Sequence, residues 1–303
     1  MQAPRLSDRA FCSVIVPVYK QWDVVRGLLD CLEQQRCSGV KFEVLLVNNG
    51  QRADVPGDMS SSLDLTVLHC ARPGAYAARN VGVAAAQGEL LVFTDADCRP
   101  ENDWLSRGVE ALEVRDEVGK RPGLVSGRVR IVAGDPDHPN VFERYDMYTG
   151  IPQAYFAGRG YGATANLFVR REVFRGVPGF DPARFSGGDA AFCRQAASSG
   201  WRLRYCDKAI VRHPARASWE ELAGKARRLK GGQLLHGTVA RRAGWVALTL
   251  VPPIRFVYRT LLSRQAGVTL RARCALCGIR LRLFWVGVSE LMRLGCGGSA
   301  RRE

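Results

Sequence analysis

The chain has 303 residues, of which 47% are hydrophobic, and its formal net charge is +15. This length allows one α/β catalytic domain with an appendage, and the apolar content is sufficient for a complete core. Collagenous, low-complexity and repeat proteins are excluded, because neither their compositions nor their periodicities occur here.

Strands and helices alternate along the first part of the chain. Short β-branched runs predict buried strands at residues 13–18, 42–47, 63–70 and 89–97. Helical spacing predicts helices at residues 22–35, at 75–87 with Gly88 as C-cap, and from Asn102 or Asp103 to Val118. The alternation predicts βαβ units in a mostly parallel, doubly wound sheet.

The pattern changes after about residue 120. We expect strands at 123–132 and from 163, a helix at 189–199, and a strand pair or one bent strand at 201–213. This mixture predicts a smaller α+β half. The expected organisation is therefore an α/β domain at 1–217, with halves at 12–118 and 119–217, followed by a basic helical region at 218–303.

The C-terminal region is strongly basic. Residues 212–303 contain 18 Lys and Arg but only four acidic residues, which predicts an anionic partner, either nucleic acid or phospholipid. Patterns typical of nucleic-acid-binding modules are missing, so we expect no nucleic acid and an anionic membrane surface instead.

Two apolar runs of this region, 245–254 and 283–288, are too short to cross a bilayer, which takes about 20 residues. Arginines flank or interrupt both runs, a pattern typical of helices that lie in a membrane interface. Two alternatives fit the same pattern: helices packed on the catalytic domain with their arginines in water, and a re-entrant hairpin at Pro252–Pro253.

The ten cysteines lie mostly in apolar runs. No apolar leader precedes them, so we expect reduced, buried thiols in a cytosolic protein rather than disulfides. Cys274 and Cys277 form one isolated Cys-X-X-Cys without a second pair or histidines, so no zinc site is expected.

The sharpest chemical feature is Asp95-Ala96-Asp97, which follows the apolar run LLVFT. Ligands of open α/β sheets bind at the carboxyl ends of the strands. Residues i and i+2 of an extended segment point to the same side, so both carboxylates are expected to converge. Two hard oxygen anions suit Mg²⁺ or Mn²⁺, although a solvated turn has the same composition.

Three segments, SVIVPVY, GAYAARNVGVAAAQGELLVFTDADC and GFDPARFSGGDAAFCRQ, occur in an order that resembles the family 2 glycosyltransferases with the GT-A fold. The resemblance extends from about Ser13 to Gly232. It implies an inverting, metal-dependent transfer of a sugar from a nucleoside diphosphate, UDP by default, to a hydroxyl of a glycan or lipid-linked acceptor. It also suggests exopolysaccharide or cell-surface glycan assembly at the cytoplasmic face of the plasma membrane.

The resemblance assigns the donor site to the ends of the first strands. Pro17, Val18 and Tyr19 would line the base pocket. Asn48 and Asn49 stand where the family usually has an Asp that accepts a hydrogen bond from the base. An amide oxygen can still accept that bond, but a plain turn explains these two residues equally well.

The same resemblance extends to the phosphates and the metal. Arg79 would contact the nucleotide or its phosphates as a permanently charged donor. Asp95 would bind ribose or metal, and Asp97 would be the metal ligand that holds the diphosphate. His213 would complete the metal shell, as imidazole suits Mn²⁺, or be structural.

Asp189 is the expected catalytic base, because an inverting transfer needs one carboxylate to take the acceptor proton. Gly188 replaces the Glu that the family usually has before it, and a glycine there would let the acceptor approach closely. The alternative for Asp189 is a helix N-cap. Asn166 and Trp219 are expected to shape the acceptor site. Arg227 and Arg228 would contact a diphosphate or a lipid-linked phosphate, or form a solvated basic face.

Three other functions remain open from the sequence: a non-catalytic sugar-nucleotide-binding homologue, a nucleotidyltransferase and a basic nucleic-acid-binding protein. A nucleotidyltransferase also uses paired carboxylates and Mg²⁺, but it usually has a Gly-rich, basic loop near its amino end. PVYKQWD is not such a loop.

Overall fold

The computed structural model describes residues 10–37, 39–57, 59, 61–263 and 269–301. The chain folds as two compact units. Unit 1 consists of Met1–Arg130, Ile151–Ala183 and Gly188–His213, and unit 2 consists of Ile131–Gly150, Arg184–Gly187 and Pro214–Glu303. Unit 2 therefore includes two short segments besides the basic C-terminal region. The division at 217/218 stays a prediction.

Eight strands form one mixed sheet. They are β1 (Ala10–Val18), β2 (Val40–Asn48), β3 (Leu65–His69), β4 (Leu90–Thr94), β5 (Arg99–Pro100), β6 (Leu124–Val132), β7 (Asn166–Arg170) and β8 (Leu203–Pro214). Their order is β3-β2-β1-β4-β7-β6-β8-β5. The four strands β3, β2, β1 and β4 are parallel, and β7 pairs antiparallel with β4.

Eleven helices are present among the described residues. They are α1 (Trp22–Glu33), α2 (Ala75–Ala85), α3 (Trp104–Glu113), α4 (Val141–Thr149), α5 (Gln153–Ala157), α6 (Arg171–Arg175), α7 (Gly188–Ser198), α8 (Trp219–Leu235), α9 (Val239–Leu250), α10 (Ile254–Leu261) and α11 (Leu270–Gly295). The predicted α/β class is confirmed. The helix expected to reach Val118 ends at Glu113, because Val114 adopts an extended conformation.

The central strands β1, β2 and β4 are almost entirely buried. Burial on both faces explains why they form continuous apolar runs instead of alternating patterns. Helix α1 buries only one stripe, formed by Val25, Leu28, Leu29 and Leu32. This stripe matches the helical spacing of the sequence.

Gly88 is not the C-cap of α2, contrary to expectation. The helix ends at Ala85 with Ala86 as its cap. A Cβ at Gly88 would lie 2.6 Å from the backbone nitrogen of Ser13, and the Gly88 N–H donates to Ser13 Oγ at 2.8 Å. The glycine is therefore explained by the close approach of β1 and not by a helix end.

Unit 2 is a helical assembly around a buried charge. Asp146 on α4 is 1% exposed. Its carboxylate accepts hydrogen bonds from Lys225 on α8 at 3.0 Å and from the guanidinium of Arg216 at 3.0 Å. An apolar cluster of Tyr145, Leu222, Leu276 and Ile279 lies in the same unit. Within the described residues, no helix combines the length and the apolar character needed to cross a membrane.

Candidate active site

The two aspartates of Asp95-Ala96-Asp97 lie on a turn at the carboxyl end of β4. The strand ends at Thr94, and the Cys98 N–H closes the turn by donating to the Asp95 carbonyl at 3.1 Å. The expectation of an extended segment is therefore wrong. Because β5 follows the turn and pairs with β8, with Arg99 opposite Arg212, the end of β8 comes next to these carboxylates.

His213, near the end of β8, reaches both aspartates. Its Nε2 lies 3.8 Å from Asp97 Oδ2. Asp95, Cys98 and His213 each offer one ligand atom, and these atoms all lie within 4.8 Å of one another. Carboxylate oxygens and an imidazole suit Mn²⁺ or Mg²⁺, so these residues fit the expected divalent cation.

Cys98 belongs to this cluster but was not expected there. Burial first, and the nearby charges of Asp95 and Asp97 second, raise the pKa of its thiol well above the usual value. A protonated thiol is a poor ligand for a hard cation, because the thiolate is the form that binds metal. The oxygen and nitrogen ligands therefore decide which metal the cluster suits.

Arg79 on α2 holds Asp95 in place. Its Nη2 donates to Asp95 Oδ1 at 2.6 Å, and the residue is 5% exposed. The guanidinium carbon also lies 5.5 Å from the centre of the Tyr76 ring. Arg79 Nε is buried without a hydrogen-bond partner among the described residues, an unusual state for a buried donor.

Tyr76 connects this cluster to the expected base. Its hydroxyl donates to Asp189 Oδ1 at 2.9 Å. Asp189 lies in the first turn of α7, one residue inside the helix and not at its N-cap, and is half-buried. Contacts thus run without a break from Asp95 through Arg79 and Tyr76 to Asp189, so the two acidic motifs share one site.

Asn80, the neighbour of Arg79, forms hydrogen bonds with the backbone of the segment that leads to α7. Its amide nitrogen donates to the Phe180 carbonyl at 2.7 Å, and its amide oxygen accepts from the Phe180 N–H at 3.0 Å. Sequence reasoning gave no role to Tyr76 or to Asn80. The available signal was their position in GAYAARN, which places them on one helix with Arg79.

The predicted donor residues lie at the carboxyl ends of β1 and β2, where Val18 pairs with Asn48. Lys20, just beyond Tyr19, has a φ of 54°, a strained conformation of the kind that clusters at functional sites. Asn48 and Asn49 are buried and use their side-chain amides to hold the following loops. Their contact with a base stays a prediction.

Asn166 is fully buried. Its amide nitrogen donates to the carbonyls of Arg128 and Ala209, both at 2.9 Å, and its oxygen accepts from Trp104 Nε1 at 2.9 Å. It therefore joins β6, β7, β8 and α3, and this geometry gives an acceptor no access to it.

Three other predicted residues belong to unit 2. Trp219 is the first residue of α8, and the guanidinium of Arg282 lies 4.1 Å from the centre of its ring. Arg227 and Arg228 lie further along α8 and are partly buried. Their roles toward acceptor or phosphate stay predictions.

The mixed α/β sheet carries its Asp-X-Asp turn at the carboxyl end of β4, the edge at which such sheets bind ligands, and this arrangement fits a glycosyltransferase of the GT-A fold. The family model of Glycosyl transferase family 2 matches residues 13–177. The chain belongs to this family.

Known relatives agree with this assignment. Glycosyltransferase AglE of Haloferax volcanii is 34% identical over 75% of this chain and 74% of its own length. The amylovoran biosynthesis glycosyltransferase AmsB of Erwinia amylovora is 26% identical over 65% of this chain and 67% of its own. The relatives thus include a glycosyltransferase of amylovoran biosynthesis.

A solved structure shares the fold. The mannosyltransferase PcManGT from Pyrobaculum calidifontis, in complex with GDP-Man and Mn²⁺, superposes with a TM-score of 0.56 over 98% of this chain and 78% of its own, at 19% identity.

Proposed function

We propose that this glycosyltransferase inverts the anomeric carbon of a nucleoside-diphosphate sugar and uses Asp189 as its base. The observation that carries the proposal is the chain of contacts from Asp95 through Arg79 and Tyr76 to Asp189. These contacts support the proposal, because a single displacement needs a carboxylate close to the groups that hold the donor, and Asp189 is half-buried.

In this proposal, Asp189 accepts the proton of the acceptor hydroxyl as the acceptor oxygen forms its bond to the anomeric carbon. The bond from that carbon to the phosphate oxygen breaks, and its electron pair leaves with the nucleoside diphosphate. Asp95, Asp97 and His213 would hold Mn²⁺ or Mg²⁺, which neutralises phosphate charge when bound. Arg79 orients Asp95 for that task and keeps a fixed positive charge in the site.

The donor is proposed to be a UDP-sugar, the default of the family resemblance. The pairing of PcManGT with GDP-Man makes a GDP-sugar the competing donor. The acceptor is proposed to be a hydroxyl of a glycan or a lipid-linked saccharide, consistent with relatives such as AmsB, whose name places it in amylovoran biosynthesis.

A donor screen tests the catalytic proposal. Purified protein is mixed with a panel of UDP- and GDP-sugars in Mn²⁺, Mg²⁺ or a chelator, and thermal shift and donor hydrolysis are measured. Asp97→Ala and Asp189→Ala should each lose transfer while keeping the melting temperature. Asp207→Ala, which removes an exposed carboxylate of β8, is the matched control and should stay active.

Full activity of Asp189→Ala would show that another group is the base. Absence of any sugar-nucleotide binding, together with a salt-sensitive gel shift of nucleic acid, would favour the nucleic-acid-binding alternative.

We further propose that unit 2 attaches the enzyme peripherally to an anionic membrane, at the inner, cytoplasmic face. Helix α10 and its C-cap residue expose an apolar row of Ile254, Tyr258 and Leu262, which are 71%, 66% and 60% exposed. Arg255 and Arg259 are also exposed and follow each of the first two by one residue. No Asp or Glu occurs from residue 222 to 289. Apolar side chains beside unopposed positive charge suit an anionic lipid surface.

Sedimentation with vesicles tests this attachment. The protein should pellet with phosphatidylglycerol vesicles at low salt and remain in solution with phosphatidylcholine vesicles, because screening and neutral headgroups both remove the attraction. The double variant Arg255→Glu, Arg259→Glu should lose binding, whereas Arg115→Glu, on the exposed surface of unit 1, should keep it. Equal binding of both variants would contradict the proposal.

A further inference from the structure

We infer that Tyr76 is a positioning residue that orients the Asp189 carboxylate, so that Oδ2 is the oxygen that takes the acceptor proton. The inference rests on the proposed role of Asp189 and adds a residue and an oxygen to it. Tyr76 acts through Asp189 and not on the acceptor itself.

The two oxygens of Asp189 have unequal surroundings. Oδ1 accepts the Tyr76 hydroxyl at 2.9 Å and the Ala190 N–H at 3.2 Å. Among the described residues, Oδ2 accepts only the Thr164 N–H, at a long 3.4 Å. A carboxylate oxygen has room for about two hydrogen bonds. Oδ1 is therefore saturated, and Oδ2 keeps the free acceptor position for a substrate hydroxyl.

The Tyr76 ring is itself held firmly. It is 7% exposed, and its centre lies 5.8 Å from that of Phe180 at an interplanar angle of 24°. Arg79 lies against the ring at 5.5 Å. A ring packed in this way holds its hydroxyl in one place, and through it the carboxylate.

Tyr76 remains a hydrogen-bond donor at every pH used in enzyme assays. Burial first, and the Asp189 charge second, raise the pKa of its phenol far above the usual value. The neutral hydroxyl therefore persists through the neutral range, and Asp189 is the acceptor in the pair.

Gly188 leaves the space that the Tyr76 ring occupies. A Cβ at Gly188 would lie 2.6 Å from Cε2 of Tyr76, a distance that real side chains do not tolerate. The ring therefore occupies the space of a side chain at 188, where the family resemblance expects Glu. The departure at Gly188 is explained by the tyrosine, which supplies a neutral donor to Asp189 in place of a second acid.

The test is Tyr76→Phe, which removes the hydroxyl and keeps the ring against Phe180 and Arg79. With the donor sugar identified in the screen, we expect kcat to fall by about 10- to 100-fold, the effect of losing one hydrogen bond to a charged group. The dissociation constant of the donor should stay within about two-fold, because Arg79 and Asp95 are untouched. A purely structural hydroxyl would lower the melting temperature and leave kcat unchanged.

Tyr205→Phe is the matched control, because its hydroxyl also donates to a carboxylate, that of Asp207, at 2.9 Å on the exposed surface. Equal kcat for the two variants would overturn the inference while leaving the proposed function standing. An inactive wild-type enzyme would reject the proposed function first. Should Tyr76→Phe be unstable, Gly188→Ala perturbs the same ring from its other side, and normal kcat there would overturn the inference equally.

Discussion

Gly188→Ala tests the packing on which the site depends. The new Cβ would lie 2.6 Å from Tyr76 Cε2, whereas ordinary contact begins at 3.4 Å. The ring must therefore retreat by about 0.8 Å. A shift directly away from Asp189 would lengthen the distance from the hydroxyl to Oδ1 from 2.9 Å to about 3.7 Å, beyond hydrogen-bond distance.

Two effects follow from this displacement. Overpacking of a rigid site costs about 1–3 kcal/mol, which corresponds to a fall in melting temperature of roughly 2–12 °C for a domain of this size. Loss of the Tyr76 hydrogen bond should lower kcat by about 10- to 100-fold, with little change in donor affinity. Calorimetry and initial-rate kinetics measure the two effects separately.

Gly278→Ala is the control for the chemical change itself. Gly278 lies on the exposed side of α11, and a Cβ there meets nothing within 4 Å. Alanine should keep activity and raise stability by up to about 1 kcal/mol, because glycine is unfavourable inside a helix. If Gly188→Ala behaves like Gly278→Ala in both assays, the placement of the Tyr76 ring is refuted.

Two further predictions concern buried charges. Asp146→Asn should destabilise unit 2 by about 3 kcal/mol in denaturant unfolding. This value is the lower end of the range for a broken buried ion pair, because the side chains of Arg216 and Lys225 are still 19% and 22% exposed. Burial raises the pKa of Asp146, but the charges of Lys225 and Arg216 outweigh burial and hold this pKa below its ordinary value. Its stabilisation should therefore be complete above about pH 4 and be lost as the pH falls further; a variant with the same acid unfolding curve as the wild type would contradict this. Arg79→Lys should weaken donor binding by about ten-fold or more in calorimetric titration, because lysine does not reproduce a planar guanidinium that holds Asp95 while packing on an aromatic ring; unchanged binding would exclude Arg79 from the donor site.

Periodicity and composition were enough for the class of fold. The strands β1, β2 and β4 were predicted as buried because their apolar runs are continuous, and α1 because its apolar residues recur at helical spacing. Both signals lie within a short segment of the sequence, so they can be recognised without knowing which elements pack against that segment. The ends of elements followed less closely from these local patterns. The segment 201–213, expected as a strand pair or one bent strand, is the single strand β8, and α3 stops five residues before Val118.

The candidate site was recognisable in parts. Asp95 and Asp97 were identified by residue type and by their place after a strand, and Asp189 by the resemblance of its segment FSGGDAAFC to the family's acidic motif. Asp95 and Asp97 nevertheless lie on a turn, because the chain reverses at Cys98 to enter β5. His213 approaches them only because β8 pairs with β5, a contact between segments more than 100 residues apart.

The sequence by itself determined the α/β class, the family and the residue types available for sugar-nucleotide chemistry, because each depends on local pattern or on motifs in order. Only the tertiary structure decided which groups meet. Tyr76 and Asp189 are separated by 113 residues, and the glycine at 188 makes sense only beside the ring that fills its space. Contacts of this kind depend on close packing between residues that are far apart in the sequence. The shape of one side chain then limits which side chain can stand beside it, and a local sequence pattern contains no information on such a pair.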